Sequence, residues 1–312
     1  MYTVIQRLTF MGQQLQNCMQ HPWSHTELRN PTMLCTVKTE DMCLPFGCDL
    51  TIFMLLFFVC VWVAQPTIYV ITPTYRRNTQ MADMTRLAQT LMHVPNLHWI
   101  VVEDAEKTSQ VVEELLERTG LPFTHLCATT PDEYKNQKLM GRGVFNRREG
   151  IRWLRENVFH GVLYFADDDN SYDIRLFQQI RTTKKASVFP VGMILSLGIS
   201  SPIVRGGKVV GFHDGFQAGR KFAVDMAGFA VNLRVLHANP QATIPTRLSY
   251  LEDGFLRNLR LELDDLEPLA SGCTQVLVWH TKTHKPGTPS LEHVTHTDFD
   301  TNLVGLYRNI LR

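Results

Sequence analysis

A mainly parallel α/β sheet is the fold class this 312-residue sequence predicts, and two regularities predict it. From residue 66 onward, short apolar runs alternate with amphipathic stretches of helical period, the pattern of βαβ units. Polar and acidic residues then gather directly after the apolar runs. That is where an open α/β sheet exposes the carboxyl ends of its strands to a ligand. A hydrophobic fraction of 44% supports a real core, and 19 glycines and 15 prolines exclude collagen-like and low-complexity chains. With 31 basic against 30 acidic residues, nothing electrostatic argues for nucleic-acid binding.

The elements follow in order. Thr67–Thr72 reads as a buried strand ended by Pro73. Residues 80–93 read as a helix with Met84, Leu87, Ala88 and Leu91 on one face. Leu97–Glu103 is a second strand, and Ser109–Arg118 a helix stopped by Gly120. Residues 144–158 form another helix, and Gly161–Ala166 a third strand. Gln275–Trp279 reads as a late apolar strand closed by His280. Gly141-Arg-Gly143 lacks the third glycine of a dinucleotide fingerprint, so an oxidoreductase loses its main support.

The front end differs. Residues 1–49 form a tail with 3 basic and 4 acidic residues, and five of the seven cysteines fall within the first 60 residues. Their spacing is not that of a zinc site. Leu50–Ala64 is uncharged and apolar apart from Thr51. As a helix it would span roughly 22 Å, short of the ~30 Å hydrocarbon core. It reads as a membrane segment with interfacial aromatics, the alternative being a buried element of the core. It starts too late to be a signal peptide.

The chemistry lies at the strand ends. Asp167-Asp168-Asp169 follows the third strand, and three adjacent carboxylates repel unless something neutralises them. A hard divalent cation shared with a diphosphate would do so, the alternative being an acidic turn capping a helix near Asp173. Glu252 and Asp253, in Leu251-Glu-Asp-Gly-Phe-Leu256, are rival candidates for a base at a helix start. His280 and His284 make HxxxH without the glutamate of a zinc protease.

Five motifs in consistent order over about residues 66–285 carry a family resemblance. They are Pro73-Thr-Tyr-Arg76, Val102-Glu-Asp104, Phe165–Asn170, Asp225–Val231 and Val276–Lys282. The chain resembles the β-1,3-glucuronyltransferases, inverting enzymes with the GT-A fold. The resemblance implies a Rossmann-like donor-binding half at about 66–190 and an acceptor-binding half at about 191–312. It implies UDP-glucuronate as donor, Mn2+ as cofactor and a galactose-terminated glycan as acceptor. It further implies a single-pass type II Golgi membrane protein anchored through residues 50–64, with its catalytic domain in the lumen; a homodimer is compatible with it.

Carried over residue by residue, the resemblance places Pro73, Tyr75 and Asp104 on uridine and Asp169 on the metal. Asp167 and Asp168 would organise sugar and ribose, Arg142 and Arg147 would face the donor, and His280 would contact the diphosphate. Glu252 falls at the family's catalytic glutamate. Arg220 and Asp225 fall at positions that touch acceptor and donor sugars. Phe216 stands where the family stacks a tryptophan on the acceptor, and Ser200 where it has an acceptor-binding glutamate. Phenylalanine keeps a stacking face but has no indole N–H.

Overall fold

The structure is a computed structural model and describes residues 65–135, 142–194, 197–217, 219–283, 302–304 and 306. The predicted membrane segment at 50–64 and the tail before it lie outside the described residues. Among the described residues, no helix is long and apolar enough to cross a membrane.

The chain begins with strand β1 (Ile68–Thr74), helix α1 (Gln80–Leu91), strand β2 (Leu97–Glu103), helix α2 (Gln110–Thr119) and strand β3 (Phe123–Cys127). Helix α3 (Val144–Asn157) and strand β4 (Val162–Phe165) follow, then β5 (Ser171–Tyr172), α4 (Ile174–Ile180), β6 (Ala186–Val188) and β7 (Val191–Gly192). A hairpin of β8 (Ile199–Arg205) and β9 (Lys208–His213) leads to β10 (Phe229–Asn232) and α5 (Leu233–Ala238). Helix α6 (Leu251–Asn258), β11 (Leu266–Pro268) and β12 (Val278–Trp279) complete the set.

Seven strands form one sheet in the order β11-β6-β10-β4-β1-β2-β3, and five form a second in the order β5-β12-β7-β8-β9. The parallel pairings β1–β2 and β1–β4 are those the βαβ pattern predicts, whereas β3, which pairs parallel to β2, has no counterpart in the sequence reading. Strand β10 departs from it, running antiparallel to both β4 and β6. Strands from both sides of residue 190 enter both sheets.

Side chains of β1 alternate between two cores, as a period of two requires. Ile68 and Val70 join Met84, Leu87 and Leu91 of α1, whereas Ile71 joins Ile151 and Leu154 of α3. Gly150 lets α3 approach the sheet, since a Cβ there would meet Ile71 side-chain carbons at 2.8 Å.

Two boundaries correct the sequence reading. Pro73 does not end β1, which continues through Pro73↔Val102 and Thr74↔Glu103. Strand β4 pairs with β1 only as far as Ile71↔Phe165, so the missing N–H of Pro73 falls beyond that ladder. The apolar stretch before His280 is extended and paired only at Val278–Trp279, and His280 N–H donates to Gly192 O (2.9 Å) just beyond it.

Candidate active site

The acidic turn forms where β4 emerges from the sheet, beside the ends of β1 and β2. Asp168 is 5% exposed. Thr74 Oγ1 donates to its Oδ2 (2.6 Å), and Arg77 grips both oxygens, Nη1 to Oδ2 at 2.9 Å and Nη2 to Oδ1 at 2.7 Å. Burial raises its pKa, and the Arg77 and Thr74 contacts oppose the rise. Both of its oxygens are thus held within the protein, which gives Asp168 a scaffolding role in the turn.

Asp167 pairs with Arg147 Nη2, and Arg147 Nη1 also donates to Arg142 O (2.9 Å). Arg147 is thus buried against the acidic turn, while Arg142 is exposed. Gly143, between them, caps α3 with φ +71°. A Cβ there would lie 2.8 Å from Arg147 Nη1 and 3.1 Å from Pro73 Cβ, so conformation and space both favour glycine.

Asp169 stands apart from its neighbours. Its backbone carbonyl accepts from Thr281 Oγ1 (2.6 Å) and Arg86 Nη2 (3.0 Å). Among the described residues no donor engages its carboxylate. Burial, then repulsion from Asp167 and Asp168, pushes its pKa up to about 6. The charge of Arg77 opposes the rise without a hydrogen bond to that carboxyl, whose hard oxygen donors suit a divalent cation. The described residues contain no cluster of three His, Cys, Asp or Glu able to hold a metal alone. Asp169 by itself offers one carboxylate to such an ion.

Among the positions that the resemblance gives to uridine, Tyr75 is 43% exposed with the Arg77 guanidinium 4.8 Å from its ring centroid. Asp104 accepts from Thr130 N–H (2.9 Å) and Thr130 Oγ1 (2.8 Å), which fixes its carboxylate at the end of β2.

A cleft of about 240 Å³ brings the remaining candidates together: Phe216, Arg220, Asp225, Glu252 and His280 all line it. Glu252 sits in the first turn of α6, and its pKa is pushed up to about 7 by burial first and the negative charge of Asp225 second. Arg220 and Arg147 pull it the other way, so the cleft and the acidic turn share one electrostatic field. His280 Nδ1 lies 3.4 Å from Asp225 Oδ2, and that contact raises the His280 pKa against the effect of burial. Ala227 N–H donates to the other oxygen of Asp225 (2.9 Å), capping a short 3-10 turn.

The structure separates the rival carboxylates. Asp253 points into the core, 3% exposed, accepting from Phe222 N–H (2.8 Å) and Arg257 Nε (2.8 Å). One residue along a helix turns about 100°, which is enough to put Glu252 in the cleft and Asp253 behind it. Ser200 is 2% exposed in β8 and is not among the residues that line the cleft. The buried acid that does line it is Asp214, whose Oδ1 binds Arg220 Nη2 at 2.6 Å and Phe216 N–H at 2.8 Å. It holds the Arg220 guanidinium 5.3 Å from the Phe216 ring centroid.

Sequence reasoning passed over Asp214, Arg77 and Asp83. Asp83 left a signal: it lies on the apolar face of α1, where a carboxylate needs partners. Asp214 left none. A larger hollow of about 330 Å³, lined by Arg76, Gln80, Glu103, Lys107 and Ser109 among others, contains none of the predicted site residues. The cleft with the poised carboxylate is the better candidate despite its smaller volume.

Sheet, acidic turn and cleft together define an α/β domain with a candidate site at the strand ends. The model for glycosyltransferase family 43 matches residues 87–284, and the chain belongs to that family. It is 47% identical over 252 residues to galactosylgalactosylxylosylprotein 3-beta-glucuronosyltransferase S of Drosophila melanogaster, covering 80% of this chain and 61% of that one. It is 51% identical over 223 residues to the P enzyme of the same fly, covering 70% and 46%. The human 3-beta-glucuronosyltransferase 2 is 50% identical over 228 residues, covering 70% of each chain. The chain thus spans about half to two thirds of the length of its fly relatives. Among solved structures, S. aureus TarS in complex with UDP-GlcNAc aligns with a TM-score of 0.46 and 14% identity over 70% of this chain and 60% of that one, too distant to support an argument.

Proposed function

We propose that this protein transfers glucuronate from UDP-glucuronate to the 3-hydroxyl of a terminal galactose, with inversion at the anomeric carbon and dependence on Mn2+. The relatives named above are 3-beta-glucuronosyltransferases acting on galactosylgalactosylxylosylprotein, and that proteoglycan linker, or a related glycan, is the acceptor we assign here. The observation that carries the reading is Glu252: a carboxyl in a cleft, lifted to about 7 by burial and by Asp225. A base works best when its pKa lies near the working pH, and a surface acid has no reason to sit there.

In this reading Glu252 accepts the proton of the acceptor's 3-hydroxyl as the oxygen attacks the anomeric carbon from the face opposite UDP. The exposed face of Phe216 receives the acceptor sugar, with Arg220 and Asp214 setting its angle. Asp225 and His280 sit between the two substrates, His280 toward the diphosphate. Pro73, Tyr75 and Asp104 bound the uridine pocket, and Arg142 offers a guanidinium to donor phosphate or carboxylate. Asp169 would hold Mn2+, which when bound neutralises the diphosphate as it leaves. Residues 50–64 would anchor the protein as a type II Golgi membrane protein with this domain in the lumen.

The test is UDP release from UDP-glucuronate with a galactose-terminated acceptor, with and without Mn2+. Nucleotide binding with no acceptor-dependent release would instead identify a UDP- or glycan-binding relative without turnover.

A further inference from the structure

Asp83 is 1% exposed, in the first turn of α1, and lies outside the cleft. A buried carboxylate is costly unless several donors satisfy it, and Asp83 has three. Arg77 Nη2 donates to Oδ2 at 2.9 Å, Arg86 Nη2 to Oδ1 at 3.2 Å, and Thr283 Oγ1 also to Oδ1. Both guanidinia reach onward. Arg77 grips both oxygens of Asp168, and Arg86 Nη2 holds the Asp169 carbonyl at 3.0 Å. Arg86 Nη1 donates to Thr283 Oγ1 (3.2 Å), and Thr281 Oγ1 reaches the same Asp169 carbonyl at 2.6 Å.

Two segments are joined at this carboxylate. One is the acidic turn, whose Asp168 is 91 residues from Arg77. The other is the stretch His280–Thr283, 200 residues along the chain from Asp83 at its far end. Simple core packing would be served as well by an apolar residue at position 83, facing Met84 and Leu87. A charged hub is needed only if the two guanidinia and the threonine must be held in register.

We propose that Asp83 is a positioning residue for the donor site, which locks the Asp167–Asp169 turn and the His280-bearing segment into one arrangement through Arg77, Arg86 and Thr283. This rests on the donor reading above. Groups that orient a metal-binding carboxylate commonly alter metal affinity or activity by about 10–100-fold when removed.

The experiment is titration calorimetry of UDP in saturating Mn2+, with steady-state kinetics beside it. Asp83→Asn keeps the shape and removes the charge, and should weaken Mn2+-dependent UDP affinity about 10–100-fold. Thr283→Val removes one hydroxyl on the far segment and should weaken it about threefold to tenfold. The double variant should be no weaker than Asp83→Asn alone, because both act through one hub. The acceptor KM should stay within about twofold of wild type, a selectivity that general destabilisation would not produce. If Asp83→Asn does not fold, Thr283→Val decides. Folded variants that bind UDP as wild type does would overturn the proposal. A wild-type protein without Mn2+-stimulated UDP binding would overturn the donor reading itself, and this inference with it.

Discussion

Replacing Glu252 by glutamine should cripple the enzyme and stabilise its fold at once, in a pH-dependent way. The carboxyl titrates near 7 in the folded protein against an ordinary 4.5, because burial and Asp225 disfavour its anion. Its folded pKa is raised, so the folded state holds the proton more tightly than the unfolded chain. The carboxyl therefore costs nothing below about pH 4, costs more as pH climbs from 4.5 toward 7, and costs its full amount above 7. At 1.36 kcal/mol per pKa unit the gap comes to about 3 kcal/mol. Glutamine keeps the shape without the charge. For a domain of this size the gain should raise the melting temperature roughly 5–10 °C at pH 8 and leave it nearly unchanged at pH 4. Thermal unfolding of metal-free, nucleotide-free protein at both pH values measures this. Turnover with UDP-glucuronate and a galactose acceptor should fall about 10²–10⁴-fold while UDP affinity survives. In the wild type, kcat/KM should rise with pH to a plateau above about 7. Equal melting temperatures at pH 8 would refute the desolvation argument. Near-normal turnover would refute the base assignment.

Asp253→Asn makes the opposite prediction: it should lower stability by about 1–3 kcal/mol through its contacts to Phe222 N–H and Arg257, leaving the pH–rate profile in place. Asp169→Ala should abolish the Mn2+-dependent part of UDP binding by calorimetry, and an unchanged Mn2+ dependence would assign the aspartates to a structural turn. Full-length protein should resist carbonate extraction and partition into detergent, whereas a chain starting at residue 66 should stay in the aqueous phase; full-length protein in the wash would remove residues 50–64 from the membrane. Gly150→Ala should destabilise by roughly 1–3 kcal/mol through overpacking of α3 on Ile71, read as a lower denaturant midpoint at unchanged slope.

Strands β1, β2 and β4 were legible because they are largely apolar on both faces, whereas β3, with Thr124 and His125 and no fully buried residue, carries no such signal. Thr67–Thr72, Leu97–Glu103 and Gly161–Ala166 needed only local pattern. Strands β6, β7 and β11 have two or three residues each, too short for any periodicity to register. They exist because neighbouring strands pair with them, information that is not local. The site divides likewise. The aspartates and Glu252 stand out as charges at element ends, but the choice between Glu252 and Asp253 depends on the helix phase. The ion pair of Asp214 with Arg220 depends on how a loop folds back six residues. Asp83, an acid on an apolar stripe, shows that a violated pattern can be as informative as a kept one.

Strand β10 fills the slot between β4 and β6, and this orders events during synthesis. Residues 162–165 are made long before residues 229–232, and until the latter arrive one edge of β4 has no partner. At about 5–20 residues per second that interval lasts roughly 3–13 s. The open edge is Val-Leu-Tyr-Phe, every side chain of which ends up buried, so it is a ready template for pairing with another chain. A nascent chain at that stage exposes an apolar strand edge open to pairing with another chain. The same wiring means that a cut near residue 190 divides both sheets and does not separate one from the other. It leaves one edge of β4 unpaired and β6 stranded, because the strand that joins them is encoded some forty residues downstream.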